Sequence, residues 1–383
     1  MIIGVLKEPP HETRVSLLPE AAGILIKKNL TVLVEIGAGV SAFATDKAYE
    51  AAGATIRQRD DLLTSADVVL SLHGPSKEEL ALLRSKVLIG IFQPLHSVER
   101  VVDFMNAGVT VFSLDMLPRT TRAQAMDVLS SQANIAGYRA VLEAATLYPR
   151  YFPMLMTAAG TIAPAKVLIL GAGVAGLQAI ATARRLGAVV EVFDTRLAVK
   201  EEVSSLGAKF IEVEGAADAS HAGGYAVDQS EEYKQKQQQR IAESIAKADV
   251  VITTAQIPGK RAPILISAPM IQSMKEGAVI IDLAAATGGN TPFTKNNEVI
   301  RQNGVTIAGN SNLPGLMPSD ASKLYGRNMI NFLQLLTTKE GALNLNWEDD
   351  LVKGSCITRD GAIANERVNA VASNPAASNP SNE

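Results

Sequence analysis

Lys166–Arg196 reads KVLILGAGVAGLQAIATARRLGAVVEVFDTR. The apolar run Val167–Leu170 has the composition of a buried parallel strand. Gly171, Gly173 and Gly176 follow in G-x-G-x-x-G spacing and open a helix expected to run to about Leu186. A second strand, Val189–Phe193, ends in Asp194, roughly 20 residues beyond the last glycine, where such a unit places an acid. Gly171 permits the tight turn, Gly173 lets a pyrophosphate approach the backbone, and Gly176 lets helix and strand pack closely. The helix N-terminus offers unpaired N–H groups and partial positive charge to the phosphates. Asp194 would accept hydrogen bonds from the adenine-ribose hydroxyls and repel a 2′-phosphate, which predicts NAD(H) rather than NADP(H). The expected nucleotide contacts here are Gly171, Gly173, Val174, Gly176, Asp194, Thr195 and Arg196.

The rest of the chain sets the frame around this unit. At 383 residues it is too long for one core, so two domains are expected. Basic residues number 36 and acidic residues 39, which leaves no basic field for nucleic acid. The single cysteine, Cys356, excludes a disulfide framework or thiolate metal cluster and fits a reducing cytoplasm. No metal site is expected. The opening MIIGVLKEPP reads as a strand rather than a signal peptide, and no stretch is apolar enough to span a membrane.

The first third alternates apolar strands (Ile2–Leu6, Thr31–Ile36, Val68–Leu72, Val87–Phe92, Val109–Leu114) with helical patterns such as Pro19–Lys28 and Val98–Met105. This is the pattern of a parallel α/β sheet. The middle third repeats it, with strands near Val167, Val189, Val250–Thr253, Ala278–Asp282 and Val305–Ala308. Ser65-Ala66-Asp67-Val68-Val69 is echoed by Lys247-Ala248-Asp249-Val250-Val251. The fold class is therefore α/β, two Rossmann-like domains with parallel sheets joined by long helices. Residues 1–135 with 318–369 form the first domain and 136–317 the NAD(H)-binding domain. A helix over about Arg122–Leu147 links them, and a second over Ser319–Thr338 returns the C-terminal segment to the first domain. The Ser/Asn/Pro/Ala-rich stretch 370–383 reads as a disordered tail. Gly37-Ala38-Gly39-Val40-Ser41-Ala42 also fits the glycine spacing, but the next helix starts only near Asp46, with Thr45 or Asp46 as cap. It is read as a glycine turn.

Pro118–Asn134 reads PRTTRAQAMDVLSSQAN. On a helix, Gln124, Asp127, Ser130 or Ser131, and Asn134 make one polar stripe, with Arg119 in the loop before it. The stripe is either a solvated face with Thr121 as cap or a face that hydrogen-bonds a polar ligand such as a carboxamide or ribose. Uncharged Gln, Ser and Asn are poor choices for mere solvation, where Lys and Glu are better helix formers.

Arg119-Thr-Thr-Arg-Ala-Gln124-Ala-Met-Asp127, continued by Leu-Ser-Ser-Gln-Ala-Asn-Ile-Ala-Gly-Tyr-Arg-Ala, closely resembles the NAD(H)-binding domain I of proton-translocating transhydrogenase. The likeness covers nearly the whole chain, including Lys7-Glu8, Arg14-Val15, Met156–Gly160, Gly223–Ala226, Thr253–Lys260 and Ile357-Thr358-Arg359. The resemblance implies a homodimer that binds NAD(H) and hands a hydride to NADP+ held on a separate domain III, with a membrane-spanning subunit coupling the transfer to proton movement. It implies that Arg119, Gln124, Asp127 and Ser130 orient the nicotinamide carboxamide and ribose. It makes 214–240 a mobile loop, with Gly224 and Tyr225 closing over the nucleotide. Thr254, Ala255 and Gln256 follow a parallel strand and should adjoin the adenosine or ribose; the family often has Leu where Gln256 stands. With no membrane span of its own, the chain is expected in the cytoplasm, attached to the inner face of a bacterial membrane through partner subunits.

Alanine dehydrogenase is similar in fold and is the competing resemblance. Arg14 matches an arginine of that family. His73 stands in place of its lysine, Ala286 in place of an acid, and its histidine falls near Gln93 or His96. Losing the lysine and the acid removes the groups that would polarise a keto acid and move its proton. Three classes remain, namely a hydride-donating transhydrogenase subunit, an amino-acid dehydrogenase, and a non-catalytic NAD-binding regulator.

Overall fold

The structure, a computed structural model, describes residues 1–213 and 230–373. The chain divides into two compact units, Met1–Gln132 with the segment from Gly315 onward, and Ala133–Pro314. The sequence reading sets the breaks after residues 135 and 317.

In the first unit an eight-stranded sheet runs Ala362–Ile363, Cys356–Arg359, Thr110–Ser113, Val87–Gly90, Val68–Leu70, Ile2–Val5, Thr31–Glu35, Thr55–Arg57. The six strands from the first third pair in parallel. In the second unit a seven-stranded sheet runs Lys209–Phe210, Val189–Phe193, Lys166–Leu170, Val250–Thr253, Val279–Asp282, Val305–Ala308, Val299–Gln302. Buried apolar side chains pack against both faces of each sheet, as buried parallel strands require.

The expectation of purely parallel sheets is corrected at three strands. Cys356–Arg359 and Ala362–Ile363 join the first sheet antiparallel, and Val299–Gln302 pairs antiparallel with Val305–Ala308. Two-residue turns enforce two of these returns. Asp360-Gly361 and Asn303-Gly304 all have positive φ (52°, 71°, 50° and 76°), the backbone of a tight hairpin, which can only reverse the strand.

The sequence echo has a structural counterpart. Asp67 accepts the Ile2 N–H through its carboxylate (2.7 Å), and Asp249 accepts the Lys166 N–H in the same way (2.8 Å). The backbone N–H of each aspartate donates to the carbonyl of that same residue, at 2.9 Å in both cases. Each aspartate thus fixes the register at which the central strand of its own sheet meets the next.

The expected continuous helix over Arg122–Leu147 is also corrected. Thr121–Met126 is a 3-10 helix, Asp127 has an extended ψ of 91°, and the α-helix is Val128–Leu147. Asp127, not Thr121, caps it, taking the Ser130 N–H at 2.9 Å and the Ser130 hydroxyl at 2.6 Å. The returning helix is Pro318–Leu333, followed by a 3-10 turn at Gln334–Leu336. The expected loop over 214–240 ends earlier than its composition suggests, because residues 231–240 belong to the helix Glu231–Ile245, capped by the Ser230 hydroxyl on the Tyr233 N–H (3.2 Å). Residues 370–373 of the expected tail belong to the helix Glu366–Ser373, held by buried Val368 and by Val371 against the core; residues 374–383 lie outside the described residues. In the glycine turn of the first unit, Val40–Ala42 is 3-10, and the helix Asp46–Ala51 starts under Thr45, whose hydroxyl accepts from Ala48 N–H (3.3 Å).

Candidate nucleotide-binding site

In the second unit the glycine turn lies where the central strand Lys166–Leu170 meets the helix Val174–Arg185. The three glycines do different things. Gly171 has φ +105°, and a Cβ there would sit 2.3 Å from the Thr254 hydroxyl. A Cβ on Gly176 would sit 1.9 Å from the Gly171 carbonyl oxygen, so the helix can approach its strand only because that side chain is absent. Gly173 is different, because a Cβ there would meet nothing within 4 Å. Its φ of −76° suits any residue. The packing of the chain therefore does not require glycine at 173, and the space it leaves open lies beside the first-turn N–H groups of the helix. Those groups have no intrahelical acceptor. Gly173 is the N-cap and has no side chain to cover them. This is a cradle a dinucleotide phosphate fits.

Asp194 lies at the end of the next strand and is buried. One carboxylate oxygen accepts the Ala172 N–H of the glycine turn (2.7 Å), and the other accepts the Arg196 N–H (2.8 Å). The Arg196 guanidinium closes on both oxygens, at 2.9 and 2.7 Å. Asp194 therefore sets the shape of the turn as well as carrying the charge predicted to exclude a 2′-phosphate. Arg196 is neutralised by it, which removes the cation that would otherwise welcome such a phosphate. Thr195 is half-buried and Val174 is exposed.

Thr254 closes the other flank. Its N–H donates to Leu170 O (3.0 Å), and its hydroxyl lies 3.2 Å from Gly171 O. Gln256 turns its side chain back to Leu283 O (2.8 Å), while Ala255 is half-buried. Gly224 and Tyr225, expected in the closing loop, lie outside the described residues.

In the first unit the segment around Gln124 is anchored from within. Ala123 and Met126 are buried. Ala125 O accepts from both Asn328 and Asn331 on the helix Pro318–Leu333, each at 2.9 Å. Arg122 forks onto the Asp349 carboxylate at 2.8 and 2.6 Å and also pairs with Asp350. Arg119 and Gln124 are exposed, and Asp127 and Ser130 are half-buried. The expected helical stripe does not form, since the chain changes conformation at Asp127. Instead, short 3-10 backbone presents Gln124 and a capping pair presents Asp127 and Ser130.

The dehydrogenase-like residues of the first unit are tied to one another. Glu12 takes both Nε and Nη2 of Arg14 (2.8 and 2.7 Å), Arg14 Nη1 donates to Gln132 (2.9 Å), and His73 Nε2 lies 2.9 Å from Glu12. Burial pushes the Glu12 carboxyl up, but the bonds from Arg14 and His73 outweigh it and hold Glu12 well below the usual carboxylate range. Burial dominates at Glu8, raising it despite bonds from Ser71, Leu72 and His73. Ala286 presents only an exposed methyl. Among the described residues no cluster of three or more His, Cys, Asp or Glu could hold a metal ion, and no helix is long and apolar enough to cross a membrane.

Comparison with known proteins follows the same division. Residues 4–136 match the family described as alanine dehydrogenase/PNT, N-terminal domain, and residues 140–366 its C-terminal domain. The chain is 46% identical over 374 residues to the first part of the divided NAD(P) transhydrogenase subunit alpha of Rhodospirillum rubrum, covering 95% of this chain and 97% of that one. The crystal structure of transhydrogenase from Sinorhizobium meliloti superposes with a TM-score of 0.87 at 46% identity, covering 95% of this chain and 100% of that one. Alanine dehydrogenase of Mycolicibacterium smegmatis is more distant, 25% identical over 378 residues and covering 96% of each chain.

Proposed function

Because this chain belongs to the alanine dehydrogenase/PNT family, we propose that it is the NAD(H)-binding subunit of a proton-translocating transhydrogenase. It passes hydride from NADH to NADP+ held on a separate domain III. The observation that carries this reading is the open cradle at Gly173, backed by buried Asp194. The residues present fit a dinucleotide with an unmodified adenine ribose. Gly171–Gly176 and the helix start hold the pyrophosphate, while Asp194, Thr195, Thr254 and Ala255 bound the adenosine half. Arg119, Gln124, Asp127 and Ser130 orient the nicotinamide end, the role implied by resemblance. The bound cofactor supplies the hydride; the protein supplies orientation and exclusion of water, so no general base is needed. Partners in this reading are a second copy, the NADP(H)-binding domain III and a membrane-spanning subunit that couples transfer to proton movement. They would hold the chain at the inner face of a bacterial membrane.

The amino-acid dehydrogenase reading has less support. Arg14 spends its donors on Glu12 and Gln132, His73 replaces the lysine, and Ala286 carries no acid. Nothing in the site favours a non-catalytic regulator. The decisive experiment measures hydride transfer from NADH to an NADP+ analogue with and without purified domain III. Transfer that appears only with domain III supports the proposal. NADH binding without transfer favours the regulator, and alanine oxidation by the chain alone favours the dehydrogenase.

A further inference from the structure

We propose that Asn290, a fully buried amide outside the glycine turn, is a positioning residue for NAD(H) binding: it ties together both ends of the loop that flanks that turn. The inference rests on the dinucleotide reading of the turn.

The loop leaves the strand Val250–Thr253 at Thr254 and returns at Leu265. Thr254 touches the glycine turn, so the loop starts at the cradle. Asn290 Nδ2 donates to Ala255 O (2.9 Å) at the start of the loop and to Pro263 O (2.8 Å) at its end. Its backbone carbonyl accepts from Leu265 N–H (2.9 Å) and Ile266 N–H (3.1 Å). Two further bonds pin the loop to the same partner segment, Gln256 Nε2 to Leu283 O (2.8 Å) and Ala262 N–H to Thr287 O (2.8 Å). Between them Ile257, Pro258, Lys260 and Arg261 are exposed.

Asn290 is itself held in place. Buried Asp282 accepts its N–H (2.6 Å), the Ala284 N–H (2.9 Å) and the Thr294 hydroxyl (2.6 Å). Gly288 and Gly289, at φ +102° and +78°, make the turn that delivers it; a Cβ on Gly289 would lie 2.9 Å from an Asp282 oxygen. Asn290 Oδ1 is buried with no hydrogen-bond partner. A buried acceptor left unpaired costs stability, so packing alone is a poor reason for an amide here. What the amide does that an apolar side chain could not is to bridge two carbonyls from opposite ends of one loop. Serine is too short to bridge them.

The test compares the parent chain with Asn290→Ser. NADH affinity is read by fluorescence titration, maximal transfer to domain III-bound NADP+ at saturating NADH, and amide hydrogen exchange over the loop. The expected result is a Kd for NADH raised about ten-fold, a saturating rate within about two-fold, and faster exchange at Lys260 and Ala262 with the strand Val250–Thr253 unchanged. Affinity within two-fold of the parent overturns the inference, as does exchange that rises equally in the strand. A parent chain that fails to bind NADH instead refutes the dinucleotide reading itself. Should Asn290→Ser not fold, Gln256→Ala removes a bond at the exposed edge of the same tie. It is expected to speed exchange at Ala262 and weaken NADH at least three-fold, and no change in either overturns the inference.

Discussion

Replacing Gly173 and Gly176 by alanine, one at a time, separates the binding role of the glycine turn from its structural role. At Gly176 the new methyl would start 1.9 Å from the Gly171 carbonyl oxygen and 3.6 Å from Ile169 Cγ2. The oxygen belongs to a turn fixed on both sides, by Thr254 and by Asp194 through Ala172. Relief therefore requires the helix Val174–Arg185 to move off its strand by more than an ångström. Overpacking of this kind costs about 1–3 kcal/mol, and here the upper half of that range is expected. At Gly173 the methyl meets nothing within 4 Å, and φ −76° suits alanine. The weaker capping preference of alanine is offset by the smaller entropy of its unfolded chain, so stability should change by less than about 1 kcal/mol. The methyl would, however, occupy the space from which a pyrophosphate reaches the helix N–H groups. A loss of 10- to 100-fold in NADH affinity, about 1.4–2.7 kcal/mol, is expected. Urea unfolding and NADH fluorescence titration on both variants measure the two effects. The reasoning is refuted if Gly173→Ala binds NADH as the parent does, or if Gly176→Ala unfolds at the parent's urea midpoint.

Asp194→Ala should narrow the preference for NADH over NADPH, because it frees Arg196 to meet a 2′-phosphate; equal affinities for the two cofactors in the parent, by equilibrium dialysis, would contradict the role given to Asp194. Asp249→Ala should cost about 1–3 kcal/mol in urea unfolding, since it leaves the Lys166 N–H without its acceptor and Lys275 without its 2.7 Å partner. Glu12 has a depressed carboxyl, so its contribution is fully present above the unfolded-state value near 4.5 and is lost as pH falls toward the lower folded-state value. Glu12→Gln should accordingly flatten the loss of stability below about pH 4.5, measured as the urea midpoint from pH 7 to pH 3; an unchanged slope would remove Glu12 as a source of acid sensitivity. Gln124→Asn should leave NADH affinity within a few-fold yet slow transfer to domain III-bound NADP+ by roughly ten-fold, since small orientation errors cost rate more than binding; stopped-flow single turnovers decide it, and an unchanged rate would count against orientation by this segment.

Much of the architecture is legible in the residues because a parallel strand buried on both faces is an apolar run with few interruptions. Val167–Leu170, Val189–Phe193 and Val250–Thr253 are such runs, and the Asp67/Asp249 echo marks the place where each sheet sets its register. The antiparallel additions escape that pattern although their signals are present. Asn303-Gly304 and Asp360-Gly361 are two-residue hairpin turns in sequence as well as in structure. Val299–Gln302 is hard to see for a physical reason, since this edge strand is largely exposed and lacks the apolar run of its neighbours. The break at Asp127 leaves no mark on the periodicity. A helical pattern continues smoothly through a 3-10 segment and a cap, because a capping aspartate falls on the same face as the residues it caps. Asn290 is illegible on different grounds. Its meaning depends on Ala255, Pro263 and Leu265 arriving from elsewhere in the chain, and no local pattern encodes that meeting.

The cap at Asp127 changes which residue can report on the proposed orientation of the nicotinamide. Asp127 and Ser130 hydrogen-bond to one another and start the helix Val128–Leu147, so removing either unpairs a helix terminus at a cost of about 1 kcal/mol before any effect on a nucleotide. A slow Asp127 variant would therefore be ambiguous. Arg122 is unsuited for a similar reason, because its fork on Asp349 ties the 3-10 segment to the cap of the helix Asp350–Ser355. Gln124 is exposed on a segment whose position is fixed by other groups, namely buried Ala123 and Met126 and the two asparagines on Ala125 O. Shortening its side chain by one methylene leaves those anchors in place. A change in rate at Gln124 can then be assigned to what the amide reaches for, and that makes it the residue on which the transhydrogenase reading of this segment stands or falls.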